Sequence, residues 1–165
     1  MQNITDFLIS KRLGITSTSM KPNKCYLDCN TYHAACLFYG NPYRFTNIVA
    51  YGANKHYDMN RTTHAEHDAI LKLPYRKDKK HCKLINVAVI KTSKTGYLGY
   101  SKPCFNCMLN MKELAPLMGY KIKWIYYSDE NGELQRTKLK DLFSDGDFHL
   151  SSYYRNSGYK HKLLQ

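Results

Sequence analysis

The sequence predicts an α/β fold in which helices pack on a five-stranded mixed sheet. Three patterns predict it: a buried strand at Leu84–Thr92, helical segments before and after that strand, and an Asn131-Gly132 turn between two later strands. Helices that alternate with strands favour parallel neighbours in a sheet, whereas an Asn-Gly turn favours an antiparallel hairpin. A sheet that contains both arrangements is mixed.

The first third of the chain is predicted to supply one helix and two strands. The apolar spacing over Asp6–Leu13 is typical of a short helix. The apolar run His33–Tyr39 and the strand formers of Thr46–Tyr51 predict two strands, and the turn residues at 40–42 predict that the strands form a hairpin. Gly52–Arg61 is polar and is predicted to be a loop.

The rest of the chain is predicted to contain two longer helices and the final strands. The first helix covers Thr63–Leu73, where Pro74 ends it, and the second covers Pro103–Met118. Strands at Lys121–Tyr127 and Glu133–Leu139 flank the Asn-Gly turn. Because right-handed crossovers place both helices on one face of the sheet, we expect their N-terminal ends to lie close together.

The composition is that of an ordinary globular chain, except for its charge. The 165 residues fit one domain at residues 1–147, with a basic, tyrosine-rich extension at residues 148–165. The net charge of +12 favours polyanionic partners, chiefly nucleic acid, although a solubilising bias stays open. The sequence contains neither a membrane span nor the pattern of a signal peptide, so we expect an intracellular protein, cytoplasmic or nuclear, with no membrane partner.

Two short motifs at the predicted helix starts carry the chemistry. Cys104 and Cys107 share a helix face, because residues at i and i+3 are neighbours. With His64 they supply two thiolates and one imidazole, which match three zinc ligands and leave a fourth position for water, as in catalytic sites. Glu66 is placed to take the proton of that water. The motifs therefore predict a catalytic Zn²⁺ site.

Other interpretations of these residues stay open at this point. Thr63 and Glu66 also fit a capping box, in which the glutamate only satisfies an amide at the helix end. A lone Cys-x-x-Cys is common, and a structural zinc site would need no glutamate. The combination is more specific than either motif alone.

The remaining cysteines are predicted to be reduced, because a disulfide framework is typical of short secreted chains. Cys25, Cys29 and His33 are spaced four residues apart and would share one side of a helix. They are interpreted as a small buried stripe, with a second metal site as the alternative, and His33 is expected to begin a strand. Cys36 and Cys82 are interpreted as buried or incidental thiols.

The pair of motifs, His64-Ala65-Glu66 and Pro103-Cys104-x-x-Cys107, resembles the signature of the cytidine deaminase superfamily. The resemblance covers roughly residues 33–140. It implies a three-layer α/β/α fold, zinc on the histidine and both cysteines, and the glutamate as proton shuttle. Members also carry a substrate-binding asparagine shortly after the second strand, a position that Asn54 matches. A turn residue is the alternative interpretation of Asn54.

The resemblance implies a hydrolase that converts a cytosine-type base to uracil, with adenine as the less favoured base. The expected substrate contacts are Asn54, Ala65 and Pro103, and the substrate is a nucleotide or single-stranded nucleic acid. Charge favours a polynucleotide substrate, whereas the antiparallel hairpin is typical of the nucleoside branch, so the subfamily stays open. The densest basic cluster is predicted to contact phosphates, and its members are Arg76, Lys77, Lys79 and Lys80.

The alternative function is a non-catalytic one. The charge and the tyrosine-rich extension also fit a nucleic-acid-binding or virion assembly protein that keeps the deaminase fold as a scaffold. Such a protein would be a viral member of the superfamily and would be associated with the virion. A relic would be free to lose Glu66, which this chain retains, so the enzyme is favoured. A homo-oligomer stays open in either case.

Overall fold

The computed structural model describes residues 8, 31–42, 47–58, 61–78, 80–93, 97–146 and 148–150. Most of them belong to strands and helices, which we number in chain order. The strands are β1 (Thr31–Phe38), β2 (Ile48–Ala53), β3 (Lys55–Asp58), β4 (Arg61–Thr63), β5 (Lys83–Ser93), β6 (Leu98–Gly99), β7 (Tyr120–Ser128) and β8 (Leu134–Thr137), and the helices are α1 (Ala65–Leu71), α2 (Phe105–Leu117) and α3 (Leu139–Ser144).

The main sheet is mixed and has the order β2-β1-β5-β7-β8. β5 and β7 are parallel, and the other neighbouring pairs are antiparallel. β6 pairs with β5 at Lys91 and Thr92, beyond the last residue that β7 pairs. The predicted five ordered strands and final antiparallel hairpin are confirmed. Gly132, which follows Asn131 in the turn, has a φ of 83°. Glycine adopts this left-handed conformation more readily than other residues, which explains its presence here.

The two longer helices pack on one face of this sheet and contact each other, as predicted. Their shared core lies between the helices and the sheet and contains Leu37, Ile70, Val87, Met108 and Ile125, all at most 1% exposed. These residues are large and apolar, so their burial stabilises the arrangement of the helix starts.

A smaller apolar cluster lies on the opposite face of the sheet. Leu8 is fully buried there against Phe38, Ile90 and neighbouring residues. The rest of the first helix predicted at Asp6–Leu13 lies outside the described residues, so the third layer of the α/β/α prediction stays a prediction. Of the extension predicted at residues 148–165, residues 151–165 also lie outside them.

The structure corrects several of the predicted elements. The polar segment predicted as a loop contains the β3–β4 hairpin, which is separate from the main sheet and carries no apolar alternation that would predict it. The strand predicted at Glu133–Leu139 ends at Thr137, and α3 begins two residues later. Pro103 precedes the N-cap of α2 instead of opening the helix, and Pro116 lies in the last turn of that helix. None of the described helices is long and apolar enough to span a membrane.

Candidate metal centre

The starts of α1 and α2 define the centre. β2 and β5 are each antiparallel to β1, so the C-terminal ends of both strands lie at the same end of the sheet. The connections into both helices begin there. His64 is the N-cap of α1 and Cys104 is the N-cap of α2, both with extended backbone and without a side-chain capping bond. Since neither side chain caps its helix, both are available to the centre.

Three potential metal ligands meet between these helix starts. The Nδ1 atom of His64 lies 3.4 Å from Sγ of Cys104 and 3.3 Å from Sγ of Cys107. All three ligand atoms lie within 4.8 Å of one another. Tetrahedral zinc with ordinary bond lengths would separate nitrogen and sulfur ligands by about 3.6 Å. The group can therefore hold a metal ion with little movement, and thiolates with imidazole suit zinc better than magnesium.

The neighbouring side chains favour ionisation of one thiol, that of Cys104. A hydrogen bond from Cys107, together with the neighbouring His64, lowers the pKa of Cys104 although burial opposes ionisation. The hydrogen bond with Cys104 and burial raise the pKa of Cys107. Both cysteines are at most 4% exposed. One thiolate is thus favoured before a metal binds, and a cation would favour the second.

Glu66 lies in the first turn of α1, where its side chain is only 5% exposed. Burial raises the pKa of its carboxyl, and the nearby Cys104 raises it further. The neighbouring His64 and Cys107 partly offset this rise, and their influence shows that the carboxyl lies next to the ligand group. Because α1 begins at Ala65 with His64 as N-cap, the capping box expected of Thr63 is not formed. A buried carboxyl with a raised pKa therefore lies beside the candidate metal ligands.

The predicted substrate contacts also lie at this end of the fold. Asn54 accepts a hydrogen bond from the backbone N–H of Ala65 through Oδ1, at 2.9 Å. The amide of Ala65 is thus already used by the protein. Ala65 and Pro103 are both buried, and their contact with a substrate stays a prediction.

Asp68 is a structural residue of the site that the sequence interpretation missed. Its carboxylate accepts hydrogen bonds from Nζ of Lys55 and Nζ of Lys72, both at 2.6 Å, and from the N–H of Ala53 at 3.2 Å. Asn54 lies between two of these partners in the chain. The carboxylate of Asp68, which lies on α1, therefore holds the segment that carries Asn54 against this helix. The spacing of Asp68 and Lys72 at i and i+4 was the only sequence signal.

Two further histidines border the centre. Burial, with the positive charges of Lys91, His64 and His149, lowers the pKa of His33 to about 4. His33 lies in β1, as expected, and its carbonyl accepts a hydrogen bond from the N–H of Asn54. The carbonyl of His149 accepts one from the N–H of Phe105 at the start of α2. Cys25 and Cys29, which would join His33 in the alternative metal site, lie outside the described residues.

The basic cluster lies at the other end of the helices. The N–H of Arg76 donates to the carbonyl of Met118, the C-cap of α2, and its guanidinium lies 5.8 Å from the ring centroid of Tyr120. A helix of 13 residues is about 20 Å long. The structure therefore does not bring this cluster and the metal ligands together. Lys77 and Lys80 are exposed, Lys79 lies outside the described residues, and their contact with phosphates stays a prediction.

Comparison of the chain with protein-family models, with curated proteins and with solved structures finds no match. The function is therefore inferred from the residues of the centre and from their geometry.

Proposed function

We propose that this protein is a zinc-dependent hydrolytic deaminase that converts a cytosine-type base to uracil. The observation that carries the proposal is the His64, Cys104 and Cys107 group, with the buried carboxyl of Glu66 beside its thiols. Hydrolysis at a ring carbon needs a site that activates water and a group that moves protons. This arrangement supplies candidates for both.

Zinc held by the histidine and the two cysteines would supply a Lewis acid that lowers the pKa of water. The oxygen of the water bonds to the ring carbon that bears the amino group while Glu66 accepts a proton from the water. Glu66 then passes that proton to the adjacent ring nitrogen. It then takes the second proton from the same oxygen and gives it to the amino group, which leaves as ammonia. The raised pKa of Glu66 suits this role, because the carboxyl must hold a proton between the two transfers.

The net charge of +12 supports a phosphate-bearing substrate, either a nucleotide or single-stranded nucleic acid. The same charge supports the second candidate, a nucleic-acid-binding protein that keeps the centre only as a structural zinc site. Glu66 discriminates between them, since a structural site needs no buried carboxyl beside its ligands.

The test measures ammonia release and zinc content together. The substrates are deoxycytidine, its mono- and triphosphate, single-stranded DNA and RNA, and an adenine-bearing RNA loop. We expect about one zinc per chain and turnover of at least one cytosine substrate. Glu66→Gln should lower turnover by about 10²–10⁴-fold and leave the zinc content unchanged, because the amide keeps the size but cannot accept a proton.

Glu113→Gln is the matched control, since it makes the same change at an exposed position of α2. Its turnover should equal that of the unchanged protein. Stoichiometric zinc without turnover of any substrate would favour the structural-zinc candidate. Full activity of Glu66→Gln would place the proton shuttle elsewhere, and the absence of zinc would contradict both candidates.

A further inference from the structure

A cavity of about 560 Å³ lies on the sheet face opposite α1 and α2. The turn at residues 40–42 after β1, the first half of β5, and parts of β7 and β8 line it. This end of β5 is remote from the metal centre, which lies beyond its C-terminal end. The volume is within the range of small-molecule pockets, roughly 300–1,000 Å³. The cavity is therefore separate from the proposed active site in both face and end of the sheet.

One of the residues that line this cavity carries a buried acceptor without a partner. Asn86, one of the lining residues, is 4% exposed, and its Nδ2 donates to the carbonyl of Gly40 at 2.7 Å. That bond fixes the amide orientation, because a carbonyl can only accept. The other side-chain atom, Oδ1, has no hydrogen-bond partner. Buried polar atoms normally have one, so Oδ1 calls for a donor from outside the described protein.

A β-bulge places two side chains opposite this asparagine. Ile85 pairs with Ile122 and Val87 pairs with Ile125, so Asn86 alone faces both Lys123 and Trp124. The bulge breaks the usual alternation of faces along β7, and both of these side chains line the cavity. Bulges of this kind redirect side chains and are frequent next to binding sites.

Positive charge completes the lining. The guanidinium of Arg136 lies 4.6 Å from the ring centroid of Trp124, which holds it at the cavity. Lys123 is exposed and supplies a second cation, and no acidic side chain is among the described residues that line the cavity. The cavity thus combines a buried acceptor, an indole and two cations.

We propose that this cavity binds a nucleoside monophosphate at a second site, distinct from the catalytic one. The N–H of a planar heterocycle donates to Oδ1 of Asn86, the ring contacts Trp124, and the phosphate binds Arg136 and Lys123. A nucleoside monophosphate carries the donor, the planar ring and the anion in one molecule. The site does not depend on the metal centre, so it goes beyond the proposed function and can be tested without it.

Trp124 is the only tryptophan of the chain, so its fluorescence reports this cavity directly. The full chain, with its metal as purified, is titrated with cytidine monophosphate, uridine monophosphate and adenosine monophosphate. Cytidine and inorganic phosphate are titrated separately, and free tryptophan amide corrects for absorption by the nucleotides. We expect saturable quenching by at least one monophosphate, and weaker binding of the nucleoside and of phosphate alone.

Arg136→Gln should weaken monophosphate binding by at least about tenfold, the effect of losing one charged hydrogen bond. It should change nucleoside binding little. Lys140→Gln, the same charge change at an exposed position of α3, is the control and should bind as the unchanged protein does. Asn86→Asp should weaken both monophosphate and nucleoside, because its carboxylate repels phosphate and cannot donate to Gly40.

Arg136 is exposed, so its variant should fold normally, which thermal unfolding checks. Absence of saturable quenching by every monophosphate would overturn the second site. Quenching that Arg136→Gln leaves unchanged would also overturn it. Either result can occur while deamination persists, so failure of this site and failure of the proposed function are distinguishable.

Discussion

At the scale of single residues, Asp68 is the charged group that holds the site segment in place. Its carboxylate is buried, whereas Lys55 and Lys72 are 36% and 45% exposed and keep part of their hydration. Burial alone would raise the pKa of Asp68, but the hydrogen bonds from both lysines and from the N–H of Ala53 outweigh it and lower the pKa. Folding therefore favours the charged carboxylate.

This lowered pKa predicts how stability depends on pH. A carboxyl with a lower pKa in the folded state stabilises the protein fully above its unfolded pKa of about 3.9, and the contribution disappears as pH falls through the folded pKa. Asp68→Asn should therefore lower the free energy of unfolding at pH 6 by about 1–2 kcal/mol, since water screens the lysines. Denaturant unfolding should show this difference shrinking below about pH 4.

Asp78→Asn is the matched control for this substitution. Asp78 is exposed and contacts His81, so the change should alter stability by less than about 0.5 kcal/mol at either pH. A deficit of Asp68→Asn that persists unchanged at pH 3 would show that lost packing, rather than lost charge, destabilises the variant.

The candidate metal ligands could be predicted from sequence because both motifs lie at helix starts. Pro74 marks the end of the first of these helices, and Pro103 marks the start of the second. The apolar strand between the two helices implies that both pack on the same face of the sheet. The salt bridge between Asp68 and Lys55 could not be predicted. It depends on the β3–β4 hairpin, whose sequence shows no apolar alternation. The acceptor role of Asn54 depends on the same unpredicted geometry.

At the scale of elements, β2 packs directly on the backbone of α1. Gly52 faces this helix, and a Cβ built on it would contact the carbonyl oxygen of Ala65 and the backbone of Ala69 at distances that real structures do not allow. The glycine is therefore needed for close approach of strand and helix. The position of α1, and with it of His64 and Glu66, depends on this contact.

Gly52→Ala is expected to push α1 away from β2. Overpacking against backbone should lower stability by at least about 2 kcal/mol, which corresponds to a loss of about 4–8 °C in Tm for a chain of this size. Zinc content measured on the folded variant should fall, because His64 moves with the helix. Differential scanning calorimetry and elemental analysis give both values.

Gly99→Ala is the control for added volume and lost flexibility in a strand. Its methyl group would lie 3.7 Å from the Lys91 side chain, an ordinary contact, so the Tm should change little. Equal destabilisation by both substitutions would mean that the Gly52 contact is not special. The close approach could not be predicted from sequence, since glycine within 52–61 fits the loop that the polar composition suggested.

At the scale of the whole molecule, the centre and the basic cluster lie at opposite ends of α2. Net charge alone predicts affinity for polyanions but not where they bind. The sequence shows that the basic cluster follows α1 in the chain, but not at which end of the helices the cluster lies. The segment connects the end of α1 to the start of β5. Because β5 and β7 are parallel, α2 finishes at this same end of the sheet, where the N–H of Arg76 donates to the carbonyl of Met118.

This separation predicts that the cluster affects polynucleotides without affecting the chemistry. Lys77→Gln with Lys80→Gln should weaken binding of single-stranded oligonucleotides, because each lysine that contacts a phosphate adds about 0.7 to the slope of log affinity against log salt. Loss of both contacts should lower the slope by about 1.4. Arg76 is left unchanged, since it packs on Tyr120 and its loss would disturb the fold.

Deamination of a free nucleoside by the double variant should equal that of the unchanged protein, because the cluster lies at the far end of α2, a helix about 20 Å long. Lys112→Gln with Lys140→Gln is the matched control, with the same loss of charge from exposed positions on α2 and α3. Fluorescence anisotropy over a range of salt concentrations measures the slopes. If both double variants lower the slope equally, net charge alone attracts the oligonucleotide. If neither lowers it, the strand does not reach this end of the molecule, and a free nucleotide is the favoured substrate.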